Sequence, residues 1–194
     1  MVAMMTQLVS SEMSSYVALG AGCYWGTEKY VKKDFENMFP GSIKATSVGF
    51  MNPDSNPKIT HPTYRQVTSG KTGHVEVLWV ELANPAAHFE ELVRFFFKFH
   101  DPTTADRQGS DVGTQYASHI FVSDDEQAKI STRVREELQQ HVDAGKIASY
   151  AGTVVTTKIS AATRFTQAHE EHQEYLFKNP SGYCNHRIRF NSWP

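Results

Sequence analysis

From residue 16 to residue 122 the apolar pattern alternates between strand-like and helix-like spacing, and the order of that alternation leaves few folds open. Tyr16-Val17-Ala18-Leu19 reads as a short strand, and a helix is expected over 24–37, stopped by Phe39-Pro40-Gly41. Ile43–Phe50 is a second strand. His74–Leu82 is a third, with Glu76, Leu78, Val80 and Leu82 on one face because strand side chains alternate. Asn84-Pro85 opens the next helix, Asn as cap and Pro at the first helical position. Its residues Phe89, Leu92, Val93 and Phe96 fall at helical spacing, and Asp101-Pro102 ends it. Ser118–Val122 closes the series as a fourth strand. Strand, helix, strand, strand, helix, strand is the order of a split β-α-β unit. The expected fold class is therefore α+β: a ferredoxin-like two-layer sandwich of a mixed sheet and helices, with C-terminal additions.

Those additions begin at Ser123-Asp124-Asp125-Glu126, which reads as a capping box. The helix it opens carries Ile130, Val134, Leu138 and Val142 and stops at Gly145. A strand is expected over Ala148–Ile159 and a helix over Thr166–Lys178, followed by a polar tail, 181–194, that holds Cys184. Two polar loops, Met51 to Ser69 and Thr103 to Gln115, interrupt the pattern, and loops of such length in compact domains are usually functional. No repeat or linker divides the 194 residues, so one catalytic domain is expected, with 1–15 a loose N-terminal segment.

A formal net charge of −2 without blocks of like charge argues against nucleic acid or an anionic membrane surface as partner. The most apolar run, Val93 to Phe99, is broken by Arg94 and Lys98 and cannot span a bilayer. Residues 1–15 lack the features of a secretory or mitochondrial signal, so a cytoplasmic protein is expected, acting as a monomer. In a reducing compartment the two cysteines, Cys23 and Cys184, are either coincidental or catalytic and transient.

Cys23 carries the strongest chemical signal. It stands in Gly22-Cys23-Tyr24-Trp25-Gly26, where a strand becomes a helix. A helix N-terminus favours thiolate over thiol, flanking glycines leave sulfur open, and two aromatics supply an apolar wall. The same pentapeptide also fits a buried, inert cysteine at a tight turn. Glu76, among apolar strand neighbours, is a candidate general acid, because desolvation keeps the proton on a carboxyl. A solvent-facing residue at a strand end is its other reading. Tyr64 and Tyr116, from the two loops, could donate hydrogen bonds to a substrate oxygen or be ordinary core tyrosines. His169, His172, Cys184 and His186 match no standard zinc spacing, so neither metal nor cofactor is expected. A Cys–His hydrolase, with His172 or His74 as base, and a module that binds methyl-bearing side chains remain as alternatives.

Several motifs occur together and in order: Gly22-Cys23-Tyr24-Trp25-Gly26, Pro62-Thr63-Tyr64, Ser69-Gly70-Lys71-Thr72-Gly73-His74-Val75-Glu76, His100-Asp101-Pro102-Thr103-Thr104, Arg107 to Tyr116 and His172-Gln173. This set closely resembles the A-type peptide methionine sulfoxide reductases, over about residues 17–184. The resemblance implies that Cys23 is the nucleophile, and that Tyr24 and Trp25 hold the methyl group of methionine sulfoxide. It implies Glu76 as the acid that protonates the sulfoxide oxygen, Tyr64 and Tyr116 as its hydrogen-bond donors, Asp111 as a substrate-binding carboxylate and Cys184 as the resolving cysteine. It also implies the S epimer as substrate, in oxidised proteins or free, and thioredoxin as reductant. Tyr24 stands where the family usually has Phe, Phe50 replaces a common tyrosine, and Ser110 a frequent Asn.

Overall fold

A computed structural model describes residues 12–194 of the chain. Strands β1 (Tyr16–Ala21), β2 (Ile43–Met51) and β3 (Val75–Leu82) form the middle of a six-stranded sheet. Helix α1 (Tyr24–Lys29) runs on through a π-helical stretch, Tyr30–Phe35, into the short α2 (Glu36–Met38). The loop after β2 contains α3 (Tyr64–Thr68). Helix α4 (Pro85–Phe99) follows β3 and leads to a minimal hairpin, β4 (Arg107–Gln108) with β5 (Asp111–Val112). Strand β6 (Ser118–Val122), helix α5 (Asp125–Asp143), strands β7 (Lys158–Ala161) and β8 (Phe165–Gln167) and helix α6 (Tyr175–Lys178) complete the chain.

The sheet order is β7-β6-β1-β3-β2-β8. β1 pairs antiparallel with both β3 and β6, and β2 antiparallel with β3, while β7 joins β6 in parallel. The molecule is thus a mixed α+β structure. The main core lies between one sheet face, with Leu19, Leu78, Val80 and Leu82, and helix residues Phe89, Phe96, Val134 and Leu138, all fully buried. Each such side chain contributes roughly 1.5–3 kcal/mol of burial. A smaller cluster of Ala18, Met51, Val75, Val77 and Phe121 covers the other face.

Helix α4 begins as its sequence dictates: Asn84 Oδ1 accepts from Ala87 N–H at 3.2 Å, with Pro85 behind it. At α5 the cap is Asp124, one residue later than the expected box. Its Oδ1 accepts from Gln127 N–H at 2.8 Å, and Gln127 Oε1 accepts from Ser123 N–H at 2.9 Å.

Two expected elements survive only in part. The strand expected over 148–159 shrinks to β7, because side chains rather than a neighbouring strand take up its backbone groups. Ala151 N–H donates to Asp101 Oδ2 at 2.8 Å, Gly152 N–H to Thr103 Oγ1 and Val155 N–H to Gln139 Oε1. The helix expected over 166–178 is instead β8, a 3₁₀ turn at Glu170–His172, and α6. Gln173 breaks it by spending its side-chain amide on β2: it donates to Val48 O and accepts from Val48 N–H, both at 2.9 Å. Glu174 then adopts φ 55, which brings its N–H to buried Glu28 at 2.7 Å. Of the expected loose segment, 1–11 lie outside the described residues. Ser14 N–H donates to Asp124, and Ser15 O accepts from Leu82 N–H.

Past α6 the chain has no regular structure, yet it is fastened at several points. Gly182 N–H bonds Asn179 O, His186 Nε2 lies 2.6 Å from Ala21 O, and the N–H groups of Arg187 and Arg189 cap Phe99 O and Lys98 O at the end of α4.

Candidate active site

β1 delivers Cys23 to the sheet edge through Gly22, whose φ of 90° and close approach to Gln108 leave no room for a Cβ: one placed there would lie 2.5 Å from Gln108 Cβ. Cys23 is then the N-cap residue of α1, and Tyr24 N–H is one of the helix's unpartnered first donors. Glu76 Oε2 takes that donor at 3.2 Å. One hydrogen bond therefore ties the strand-borne carboxyl to the residue next to the nucleophile candidate. Cys23, Tyr24, Trp25, Tyr64, Glu76, Asp111, Tyr116 and Tyr183 together line a cavity of about 190 Å³.

Glu76 is 2% exposed, which removes its reading as a solvent-facing strand end. Burial pushes its carboxyl up to about 8, against the pull of the Tyr24 N–H and with a further push from Asp111. At neutral pH it holds its proton. Cys23, 9% exposed, is pushed up by burial and then by the charge of Glu76, while the backbone N–H groups of Trp25 and Gly26 pull it down. The helix start by itself does not make a resting thiolate. Burial outweighs it.

Tyr64 opens α3, which is fixed by a reciprocal cap between Thr63 and Gln66. Tyr116 closes a 3₁₀ turn over Thr114–Tyr116. Burial raises both phenols, so both are protonated donors at neutral pH. Asp111 sits in the β4–β5 hairpin and accepts from Tyr183 Oη at 3.1 Å and Asn185 Nδ2 at 2.8 Å. Trp25 is stacked on Tyr175 with ring centres 3.8 Å apart. Tyr24 is 1% exposed and leaves its hydroxyl without a partner, the consequence of the phenol at this position.

Seven of the eight residues singled out from the sequence meet around this cavity. Cys184 is the eighth. It is half-buried and lies in the tail beside Tyr30, whose phenol it helps to raise; neither it nor the buried Cys23 is in a disulfide. Sequence reasoning missed Tyr183, Asn185, Tyr175 and the packing role of His172. Each reaches the site from more than a hundred residues away or through irregular chain, and no local spacing announces such a contact. His172 makes no hydrogen bond through Nδ1 and lies in an aromatic stack with Trp25 and Tyr64. Among the described residues no imidazole hydrogen-bonds the Cys23 sulfur. Among the described residues no group of three or more His, Cys, Asp or Glu could hold a metal, and no helix is long and apolar enough to cross a membrane.

Comparison with known proteins points one way. The model of a family described as peptide methionine sulfoxide reductase matches residues 15–192. The chain is 36% identical over 175 residues to a probable peptide methionine sulfoxide reductase of Schizosaccharomyces pombe, covering 89% of this chain and 95% of that one. It is 40% identical over 175 residues to peptide methionine sulfoxide reductase MsrA of Mycoplasma pneumoniae, covering 90% and 98%. Among solved structures, reduced Mxr1 from Saccharomyces cerevisiae aligns with a TM-score of 0.76 at 35% identity, over 92% of this chain and 93% of that one. Mxr1 is also known in complex with Trx2, a structure matched at a TM-score of 0.54 and 24% identity, over 92% of this chain and 91% of that one, a likeness of fold alone.

Proposed function

Because the chain belongs to the peptide methionine sulfoxide reductase family, and is thus an oxidoreductase, we propose that it reduces methionine S-sulfoxide, in proteins and free, to methionine. The observation that carries this reading is the Glu76–Tyr24 hydrogen bond, which sets a protonated acid beside Cys23 at the mouth of an aromatic cavity.

A sulfoxide sulfur is electrophilic only when its oxygen is protonated or strongly hydrogen-bonded. Glu76, holding its proton near neutral pH, supplies that proton, and the phenols of Tyr64 and Tyr116 donate to the same oxygen. The carboxylate so formed takes the proton of the buried Cys23 thiol. This generates the thiolate only when substrate is present, as a thiol held up by burial requires. Sulfur attacks sulfur to form a transient S–S bond; transfer of the hydroxyl to Cys23 then breaks both the S–O bond and that S–S bond and releases methionine. The methionine sulfur gains two electrons and Cys23, now a sulfenic acid, loses two. Tyr24 and Trp25 enclose the methyl group, and Asp111 binds the substrate's polar portion.

Cys184 then condenses with the sulfenic acid, forming a disulfide and releasing water. Thioredoxin reduces that disulfide by exchange, as the pairing of Mxr1 with Trx2 suggests. A reductase recycled by a dithiol works where dithiols are kept reduced, so the reading includes a cytoplasmic monomer, one catalytic domain with residues 181–194 as its resolving tail. It also takes the four central strands with their intervening helices as a ferredoxin-like split β-α-β unit, from their order and direction.

The test is incubation with each sulfoxide diastereomer separately in dithiothreitol, followed by product analysis. Methionine should appear from the S epimer and not from the R epimer. Equal consumption of both, or of neither, overturns the reading.

A further inference from the structure

We infer that His172, which no role above employs, is a positioning residue that sets the ring of Tyr64 toward the sulfoxide oxygen. The inference rests on the reductase reading and extends it to the wall behind the donor. Tyr64 is 40% exposed, on a five-residue helix within a long loop, and its hydroxyl makes no hydrogen bond among the described residues. A donor so placed needs its ring held from behind, since an idle rotamer would aim the phenol at solvent.

His172 supplies that support. Its ring stacks on Tyr64 with centres 4.5 Å apart and planes within 30°. The same imidazole packs against two further aromatics of the cavity, with ring centres 5.8 Å from Trp25 and 5.7 Å from Tyr24. It is 7% exposed, and burial holds it below the usual histidine range, so it packs as a neutral ring. Its Nδ1 has no partner, and its Nε2 lies 3.6 Å from Glu171 Oε1, beyond hydrogen-bond reach.

The imidazole is itself anchored to the sheet. His172 N–H donates to His169 O at 2.9 Å. The next residue, Gln173, grips Val48 N–H and Val48 O on β2 and Ala168 O at 3.0 Å. Rigidity passes from β2 through Gln173 to His172 and from there, by stacking, to Tyr64. The break in the expected C-terminal helix at Gln173 is what turns His172 inward.

The test is a double-mutant cycle on S-sulfoxide reduction with dithiothreitol. His172→Leu keeps the bulk and removes the flat ring; His172→Phe restores a ring without nitrogens. His172→Leu should lower kcat about tenfold, part of the 10²–10³-fold that losing one oxyanion donor costs, with KM shifted less than about threefold. His172→Phe should return kcat to within about threefold of the parent. In a Tyr64→Phe background, where no donor is left to position, His172→Leu should cost less than about twofold more. A loss that multiplies in that background, or a His172→Phe variant as slow as His172→Leu, overturns the inference. Ring resonances of Tyr64 give a readout without activity: they should lose the ring-current shift in His172→Leu and keep one in His172→Phe, and shifts that do not move with position 172 overturn it as well. If the parent protein turns over no S-sulfoxide, the reductase reading fails by itself, and the resonances still report on the stack.

Discussion

The two cysteines occupy opposite kinds of environment. Cys23 is placed by regular structure: a central strand leads into it, a helix starts at it, and a strand-borne carboxyl holds the next backbone N–H. Cys184 lies half-buried in a tail without helix or strand, between Tyr183 and Asn185, whose side chains hold Asp111. The first environment holds a sulfur between regular elements and controls its proton by burial. The second holds a sulfur in irregular chain whose neighbours Tyr183 and Asn185 reach the cavity, fastened by isolated hydrogen bonds rather than by a helix or strand. A reaction that needs one thiol to be aimed and another to travel calls for this division.

The largest effect should come from the aimed sulfur. Cys23→Ser should leave no measurable turnover with dithiothreitol, and mass spectrometry after exposure to sulfoxide should show no added oxygen on the protein. Residual turnover would place the nucleophile elsewhere. Next comes its acid. Glu76→Gln should lower kcat by about 10²–10³-fold with little change in KM, since the proton matters chiefly in the transition state. The pH dependence has a defined sign. The carboxyl must be protonated to act, and it titrates at about 8, so the parent rate should hold below that pH and fall as pH rises through it. The Gln variant should lack that fall, and a profile still bending near 8 would assign the limb to another group. The smallest effect on chemistry should come from the travelling sulfur. In Cys184→Ser, one equivalent of methionine per enzyme should form at the parent rate, while thioredoxin-driven turnover drops about tenfold for want of an internal thiol. Normal recycling by thioredoxin would break the comparison between the two cysteines.

What the sequence disclosed follows the same division. The strand Ser118–Val122 and the α4 cap are written locally, in apolar alternation and in Asn84-Pro85, and both stand as read. The segments 148–159 and 166–178 also carry plausible local patterns, but distant partners decide their shape: Asp101 and Thr103 take the backbone of the first, Val48 and Glu28 that of the second. The cavity residues were legible because motifs near Cys23, Tyr64, Glu76 and Tyr116 mark loops and strand ends meeting at one sheet edge. Tyr183, Asn185 and His172 were not, because a stack or a hydrogen bond between residues distant in sequence leaves no periodicity. Burial of Cys23 was not legible for a related reason: a helix start is visible in sequence, whereas the depth at which a sulfur lies is not.

Pinning of the tail on both sides of Cys184, at Gly182 by Asn179 and at Arg187 by Phe99, has a kinetic meaning. On the proposed reading this thiol is a captive reagent, leashed by a handful of residues of about 3.5 Å reach each. Short flexible tethers of this sort give effective concentrations in the millimolar range. Closure of the disulfide would then follow first-order kinetics whatever the protein dilution, and dissolved thiols would compete only above that level. Dependence on an outside protein would be confined to the return stroke of the cycle.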